Sequence, residues 1–477
     1  MIMAERSSRR STTRRQFLTT TILAGLALSA ACAPAPAAAP TAAPAKPTEA
    51  PKPAAPAAPA AAPAAPAAKP AAAPLPDLKG QEITISYSRG APQQLEEISK
   101  AYEAKTGLKF NRVVLPYGEL YDKLLINLSQ ATGAYDVTVL DDPWCPQFFS
   151  KGYVQPLDPF FEKAGLKGLD SDFVPRTVDL SKWPAGTGKL MAIDYLGNTQ
   201  MYAYRKDLLE KYGLQPPKTW DEVYNFATMV KQKESGMYGF VMRGKAVNPA
   251  VSAFMPAFWG HGAEMFDDNY NPQFTSDKSL AALEFWVKLA KETAPPGVAT
   301  FDTTEGTRSL FSGESAQAMV WPSWAAALDD PAQSKTVGKW GLGVAPAQPG
   351  GKGGSMMGNW LLAIPQGAKN PDTAFQFILW ASGPDGQRIH ALQGIPPTRS
   401  SVFQDPEVLA KFPYYKNILE NLQAARYRPR ITNWGAVENS FGTQISAALA
   451  GETSPKDALN QVQQEVVGLM KKEGYLK

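Results

Sequence analysis

From Gly80 onward the chain alternates short apolar runs with apolar residues at helical spacing. Ile83–Tyr87 reads as a strand bounded by Gly80 and Gly90. Leu95, Ile98, Ala101 and Tyr102 then recur on one helical face, and Gly107 stops that helix. Leu108–Val114 predicts a second strand, Tyr121, Leu124, Leu125 and Leu128 a helix face, and Asp136–Leu140 a third strand. Further on, Met201–Tyr204 reads as a strand. Thr219-Trp220-Asp221-Glu222 is a capping box that starts a helix with Val223, Phe226 and Val230 turned inward. Leu280, Leu283 and Val287 define another helical face, and Trp360–Ile364 another strand. Asn370-Pro371 and Ser454-Pro455 place a capping residue before a proline, where helices begin. Strands alternating with helices predict βαβ units, a mostly parallel sheet and an α/β fold class. Residues 78–477 are numerous enough for two or more domains. No repeat of fixed period is present.

The pattern before residue 80 is different. Arg6, Arg9, Arg10, Arg14 and Arg15 precede an apolar run from Ile22 to Ala31, which ends at Cys32. This is the layout of an export signal, and the run is too short to span a bilayer, which needs ~20 apolar residues. Thr13-Arg14-Arg15-Gln16-Phe17-Leu18 fits the twin-arginine pattern. Leu28-Ser29-Ala30-Ala31-Cys32 resembles a lipoprotein cleavage box, with Ser29 where leucine is preferred. Two outcomes stand: cleavage before Cys32 with lipid on its sulfur, or ordinary cleavage releasing a soluble chain. Ala33 to Pro76 is almost wholly alanine and proline. Such a segment cannot build a core and predicts a semi-rigid tether, with a reach of at most ~130 Å at ~3.1 Å per residue.

Charge follows the same division. The leader carries five arginines against Glu5, and residues 33–77 carry three lysines against two acids. Of the chain's net +4, residues 78–477 therefore hold −1. The positive excess belongs to the leader, and no nucleic-acid footprint follows from it. Cys145 is the only cysteine after Cys32, so no intrachain disulfide is expected in a processed chain, and a small buried hydrophobe is its ordinary role.

Candidate catalytic sets are sparse. His261 and His390 are the only histidines, with no zinc-ligand spacing. Gly186-Thr187-Gly188-Lys189-Leu190 lacks the Ser/Thr of a phosphate loop. Gly353-Gly354-Ser355-Met356-Met357 lacks the last glycine of a nucleophile elbow. Pro349 to Gly358 reads as a loop. Asp141-Asp142 is the strongest carboxylate pair, but neighbours on an extended segment point to opposite sides, which does not suit glycoside hydrolysis. The pair is either a solvated turn or an acceptor for ligand hydroxyls. No enzyme activity, cofactor or metal is expected.

The chain has 11 Trp. Trp144, Trp321, Trp324 and Trp360 sit beside turn residues. Each can pack in a core or stack on the C–H face of a sugar. Trp286 and Trp380 fall on helices and are expected to pack inside.

Ordered motifs run through residues 80–470: Tyr102-Glu103-Ala104-Lys105-Thr106-Gly107; Tyr135-Asp136-Val137 leading to Asp141-Asp142; and Pro156-Leu157-Asp158. Then come Gly188-Lys189-Leu190-Met191-Ala192-Ile193, Tyr202-Ala203-Tyr204-Arg205-Lys206-Asp207-Leu208-Leu209 and Pro216-Pro217-Lys218-Thr219-Trp220-Asp221-Glu222. Ala318-Met319-Val320-Trp321 and Asn359-Trp360-Leu361-Leu362-Ala363-Ile364-Pro365 follow. In this order they resemble the carbohydrate-binding solute receptors of ABC importers, the family of maltose-binding protein. The resemblance implies a two-lobe periplasmic-binding-protein fold with a ligand cleft and three hinge crossings. These would fall near Gly197-Asn198-Thr199, in the glycine-rich run before Met357, and shortly after Pro397-Thr398-Arg399. Lobe one would be about 78–197 and 357–405, lobe two about 198–356 and 406–477. It implies ligand contacts from Ser88, Arg89, Asp141, Asp142, Trp144, Asn198, Trp321, Trp324, Asn359 and Trp360. Asn198 stands where maltose receptors often carry an acid, which argues against maltose itself. The expected ligand is a mono- or oligosaccharide, with a polyol or glycerol-phosphate-type solute as the alternative. The expected partners are importer membrane subunits, and the membrane itself through lipid on Cys32. The receptor is expected to act as a monomer.

Overall fold

The computed structural model describes residues 75–88, 95–349 and 353–477. The leader with Cys32, the tether up to residue 74 and Arg89 lie outside the described residues.

Ten strands occur among the described residues: β1 Glu82–Ser88, β2 Lys109–Leu115, β3 Val137–Asp141, β4 Lys182–Trp183, β5 Lys189–Leu190, β6 Ile193–Leu196, β7 Met201–Arg205, β8 Gln317–Val320, β9 Trp340–Gly343 and β10 Trp360–Ala363. One sheet has the order β2-β1-β3-β10-β6, another the order β8-β7-β9, and β4 pairs with β5 alone. The α/β class and the two-lobe architecture therefore stand. Strand direction differs from expectation. β1 is parallel to β2 and β3, but β10 runs antiparallel to β3 and β6, and β7 is antiparallel to both β8 and β9. Apolar periodicity identifies a strand but carries no direction. β10 and β7 take theirs from the places where the chain passes between lobes.

The predicted helices form, several of them for the predicted reasons. Leu95–Thr106 buries Leu95, Ile98 and Tyr102 and ends at Gly107, whose φ of 77° suits a residue without a Cβ. Trp220–Lys233 starts at a complete capping box of Thr219 and Glu222 and buries Val223, Phe226 and Val230. Pro455–Lys472 is capped by Ser454, which accepts from the Asp457 N–H. Pro371–Ala381 follows Asn370, whose side chain makes no cap bond and donates to the Glu82 carbonyl instead. In Asp277–Thr293 the buried face is Leu283, Trp286 and Leu289 rather than Leu280 and Val287. Each fully buried side chain of this size contributes roughly 1.5–3 kcal/mol. Trp286 is buried as expected, and Trp380 is half-buried against Tyr102. Cys145 is free and buried.

The lobes meet where three chain segments run side by side. Thr199 bridges Met357, and Met356 bridges Arg426. The Gln200 N–H donates to Met356, the Met357 N–H to Arg426, and the Gly358 N–H to Asn198 at 2.7 Å. Two of these segments are Asn198–Gln200 and Met356–Gly358. The third is at Arg426–Arg428, not just after Arg399. Arg399 is held in lobe one by Asp170 and Asp172, and Thr398 donates to the Asp194 carbonyl. Helices Ser400–Phe403, Pro406–Lys411 and Tyr415–Ala424 then bury Val402, Phe403, Val408, Ile418 and Leu422 on the lobe-one side before the chain crosses. Lobe two has its own core, in which Trp220, Phe240, Phe254, Trp286 and Phe441 interlock.

Candidate functional site

A cleft of about 500 Å³ opens beside the hinge. The register of the sheet builds its lobe-one wall. Antiparallel pairing sets Trp360 at the start of β10 opposite Asp141 at the end of β3, and next to Leu196 at the end of β6. The lobe-two wall comes from Arg243 and from helix starts at Asn248, Thr303 and Pro322; Asn248, Thr303 and Ser323 of their first turns, with Asp302 and Trp321, reach the cleft. Asn198 and Gly358 form its back, where Asn198 Nδ2 donates to the Gly358 carbonyl at 2.9 Å.

Of the residues implicated from sequence, Asp141, Asn198, Trp321, Trp324 and Trp360 are brought together on this lining. Four others are placed elsewhere, with other roles. Ser88 is buried at the end of β1, paired with Leu115. Asn359 is fully buried, and its Nδ2 donates to Asp194 at 2.6 Å, so it fastens β10 to β6. Trp144 sits behind Trp360 and Tyr117, with ring centroids 5.8 and 4.9 Å away, and faces a neighbouring hollow of about 650 Å³. Asp142 turns inward onto Arg428. Arg89 lies outside the described residues.

Asp141 and Asp142 do not diverge as extended neighbours would. Asp142 has left the strand, and both carboxylates reach the same guanidinium. Arg428 Nη2 lies 2.6 Å from Asp142 Oδ1 and 3.3 Å from Asp141 Oδ1, and Nε donates to Asp142 at 3.0 Å. The Tyr117 hydroxyl donates to Asp141 Oδ2 at 2.8 Å. Arg430 adds a bond to the Asp142 carbonyl. Burial raises the pKa of the Asp142 carboxyl to about 7 against the pull of Arg428, and Asp141 moves up for the same reason. Burial works against the Arg428 cation, but the two carboxylates prevail and hold its proton more tightly. Asp194 is pushed well up by burial despite the Asn359 bond.

Several lining residues escaped the reading from sequence, Tyr117, Arg243 and Arg428 among them. Arg428 had a usable signal, because Arg426-Tyr427-Arg428-Pro429-Arg430 alternates charge along an extended segment. Arg243 closes the apolar run Phe240-Val241-Met242, a pattern that resembles a strand end. The chain there hydrogen-bonds beside β8 without forming a regular strand.

A pocket of indole faces beside hydroxyl, carboxylate and guanidinium groups can hold a polyhydroxylated molecule: C–H faces on the rings, hydroxyls on the polar groups. The chain is similar to known solute-binding proteins. A protein from Sinorhizobium fredii, described as a probable amino-acid ABC transporter periplasmic-binding protein, is 30% identical over 406 residues, 83% of this chain and 91% of that one. The mannitol-binding protein of Pseudomonas aeruginosa is 28% identical over 416 residues, 80% of this chain and 92% of that one. The crystal structure of an ABC transporter solute-binding protein from Agrobacterium radiobacter K84 in complex with ribitol superposes with a TM-score of 0.75 at 26% identity, covering 82% of this chain and 100% of that one. Residues 86–388 match the family described as bacterial extracellular solute-binding protein, and the chain belongs to that family.

Proposed function

We propose that this protein captures a small sugar or polyol outside the cytoplasm and delivers it to the membrane subunits of an ABC importer. The observation that carries this reading is the cleft between lobes, where Trp321, Trp324 and Trp360 stand beside Asp141, Asn198 and Arg243. The polyol form of the reading draws support from the relatives named for mannitol and ribitol. A ligand that touches both walls binds the closed arrangement better than the open one and shifts the population toward closure. An amino acid fits less well. Its ammonium group needs a carboxylate, yet Asp141 is engaged by Arg428 and Tyr117, and Asp302 by Lys245 and the Thr303 N–H.

A thermal-shift panel of hexitols, pentitols, mono- and disaccharides and amino acids tests this. A true ligand at 100 times its dissociation constant adds about 2.7 kcal/mol of stability. A clear rise in melting temperature is expected with at least one polyol or sugar and none with amino acids. A shift confined to amino acids would sink the proposal.

The tether follows from the same reading. Export by the twin-arginine route, lipid on Cys32 and a monomeric receptor on a long Ala/Pro leash would keep the binding domain near its importer. Stable anchoring needs more than one acyl chain or a second membrane signal. Cys32→Ser is expected to move the protein from the membrane fraction to the soluble fraction. An unchanged distribution on fractionation would remove the anchor from the proposal.

A further inference from the structure

Arg243 is nine-tenths buried, yet it forms no ion pair among the described residues. Its guanidinium lies over the Trp324 ring, 5.6 Å from the centroid, and Nη2 donates to Ser252 Oγ. Burial pulls its pKa down to about 10, with Asp302 and Glu438 opposing from a distance. The carboxylates around it are occupied. Asp302 takes Lys245 and the Thr303 N–H, Glu438 takes the Asn248 side chain, and Asp141 with Asp142 takes Arg428. A buried guanidinium with one hydroxyl partner bears a desolvation cost that an incoming acceptor can offset. Helices Asn248–Gly260 and Thr303–Phe311 begin on the same wall, but their first-turn N–H groups are taken by Asp302 and by backbone carbonyls, which leaves the guanidinium as the cationic group on this side.

Resting on the reading of the cleft as a sugar or polyol site, we infer that the ligand carries a single negative charge, a carboxylate on a polyhydroxylated chain, received by Arg243 from the lobe-two side. An aldonate or a uronate has this chemistry. A planar carboxylate matches the fork of a guanidinium with two parallel N–H···O bonds, which hydroxyls do not reproduce. One unpaired cation suits one negative charge. A phosphate monoester, at about −1.5 to −2 near neutral pH, would bring more charge than this wall can neutralise. The rest of the molecule would lie across Trp360 and Trp321 toward Asn198.

Isothermal titration of the exported chain with matched pairs decides the matter: D-mannitol against D-mannonate, D-glucose against D-glucuronate, and mannitol 1-phosphate as the dianion. The acid of at least one pair should bind at least tenfold tighter than its neutral partner and tighter than the phosphate. Arg243→Gln should weaken the acid about 100-fold and the neutral partner far less, erasing the preference. Arg243→Lys, which keeps the charge but loses the fork, should fall between, and it serves as the second variant if the glutamine form unfolds. Neutral sugars or polyols that bind as tightly as their acids would overturn the inference and leave the receptor reading intact. So would a glutamine variant that weakens both members of a pair equally, or a phosphate that binds tightest. Binding by no member of any pair would overturn both.

Discussion

Arg428→Met is expected to cost the folded domain about 3–5 kcal/mol, the range seen when one member of a buried ion pair is removed. The arginine side chain is 3% exposed, and its two partners are 8% and 1% exposed, so none of the charges can fall back on solvent. Methionine fills similar space but strands both carboxylates. Tyr117 on Asp141 and Arg430 on the Asp142 carbonyl remain, and neither supplies a cation to the carboxylate oxygens. The loss should show as a lower urea midpoint with an unchanged slope. Adding Asp141→Asn and Asp142→Asn should recover most of it, because no unpaired charge then remains in the interior. A single variant that loses less than about 1 kcal/mol would show the trio to be as weakly coupled as a surface pair. The trio also locates the third hinge crossing, since Arg428 ties that segment to the end of β3, where the cleft begins.

The sequence exposed the parts of this fold that depend on periodicity and local chemistry. The capping box at Thr219, the stop at Gly107 and the alternation of strand and helix are written in a few neighbouring residues each. It was silent where direction and partnership are set over long range. Nothing around Trp360 declares that β10 runs antiparallel to β3, nor that the third crossing waits until Arg426. The site divides the same way. Trp321, Trp324 and Trp360 stood out because they sit beside turn residues rather than inside periodic runs, and they reach the cleft. Trp144 looked alike in sequence and packs edge-on behind Trp360. Asp142 and Asn359 were expected at the ligand, yet each is spent on an interior partner, Arg428 and Asp194, that lies 286 and 165 residues away in the chain. Only the folded chain distinguishes a polar group kept for a ligand from one kept for the protein.

Gly358→Ala is expected to weaken ligand binding by about 10- to 100-fold, about 1.4–2.8 kcal/mol. The glycine lies in the second hinge crossing, between Asn198 and the Trp321 ring. A Cβ there would meet two indole carbons at 2.8 and 2.9 Å and the Asn198 Nδ2 at 3.2 Å. The indole is the larger and more constrained neighbour. Either Trp321 swings from its place on the cleft wall, or the hinge segment retreats and breaks the paired bonds between Asn198 and Gly358. Both outcomes alter the surface that a bridging ligand must touch. Overpacking of this sort costs about 1–3 kcal/mol of stability as well, so affinity is to be measured well below the melting temperature of the variant. The mechanism has its own signature in a double-mutant cycle. Trp321→Ala removes the atoms that a Cβ would strike, so adding Gly358→Ala to it should cost little further affinity. Calorimetric titration with a ligand taken from the thermal-shift panel gives the comparison. If the two changes weaken binding independently, Gly358 acts through the hinge rather than through Trp321. If Gly358→Ala alone binds as tightly as the parent, the back of the cleft does not touch the ligand at all.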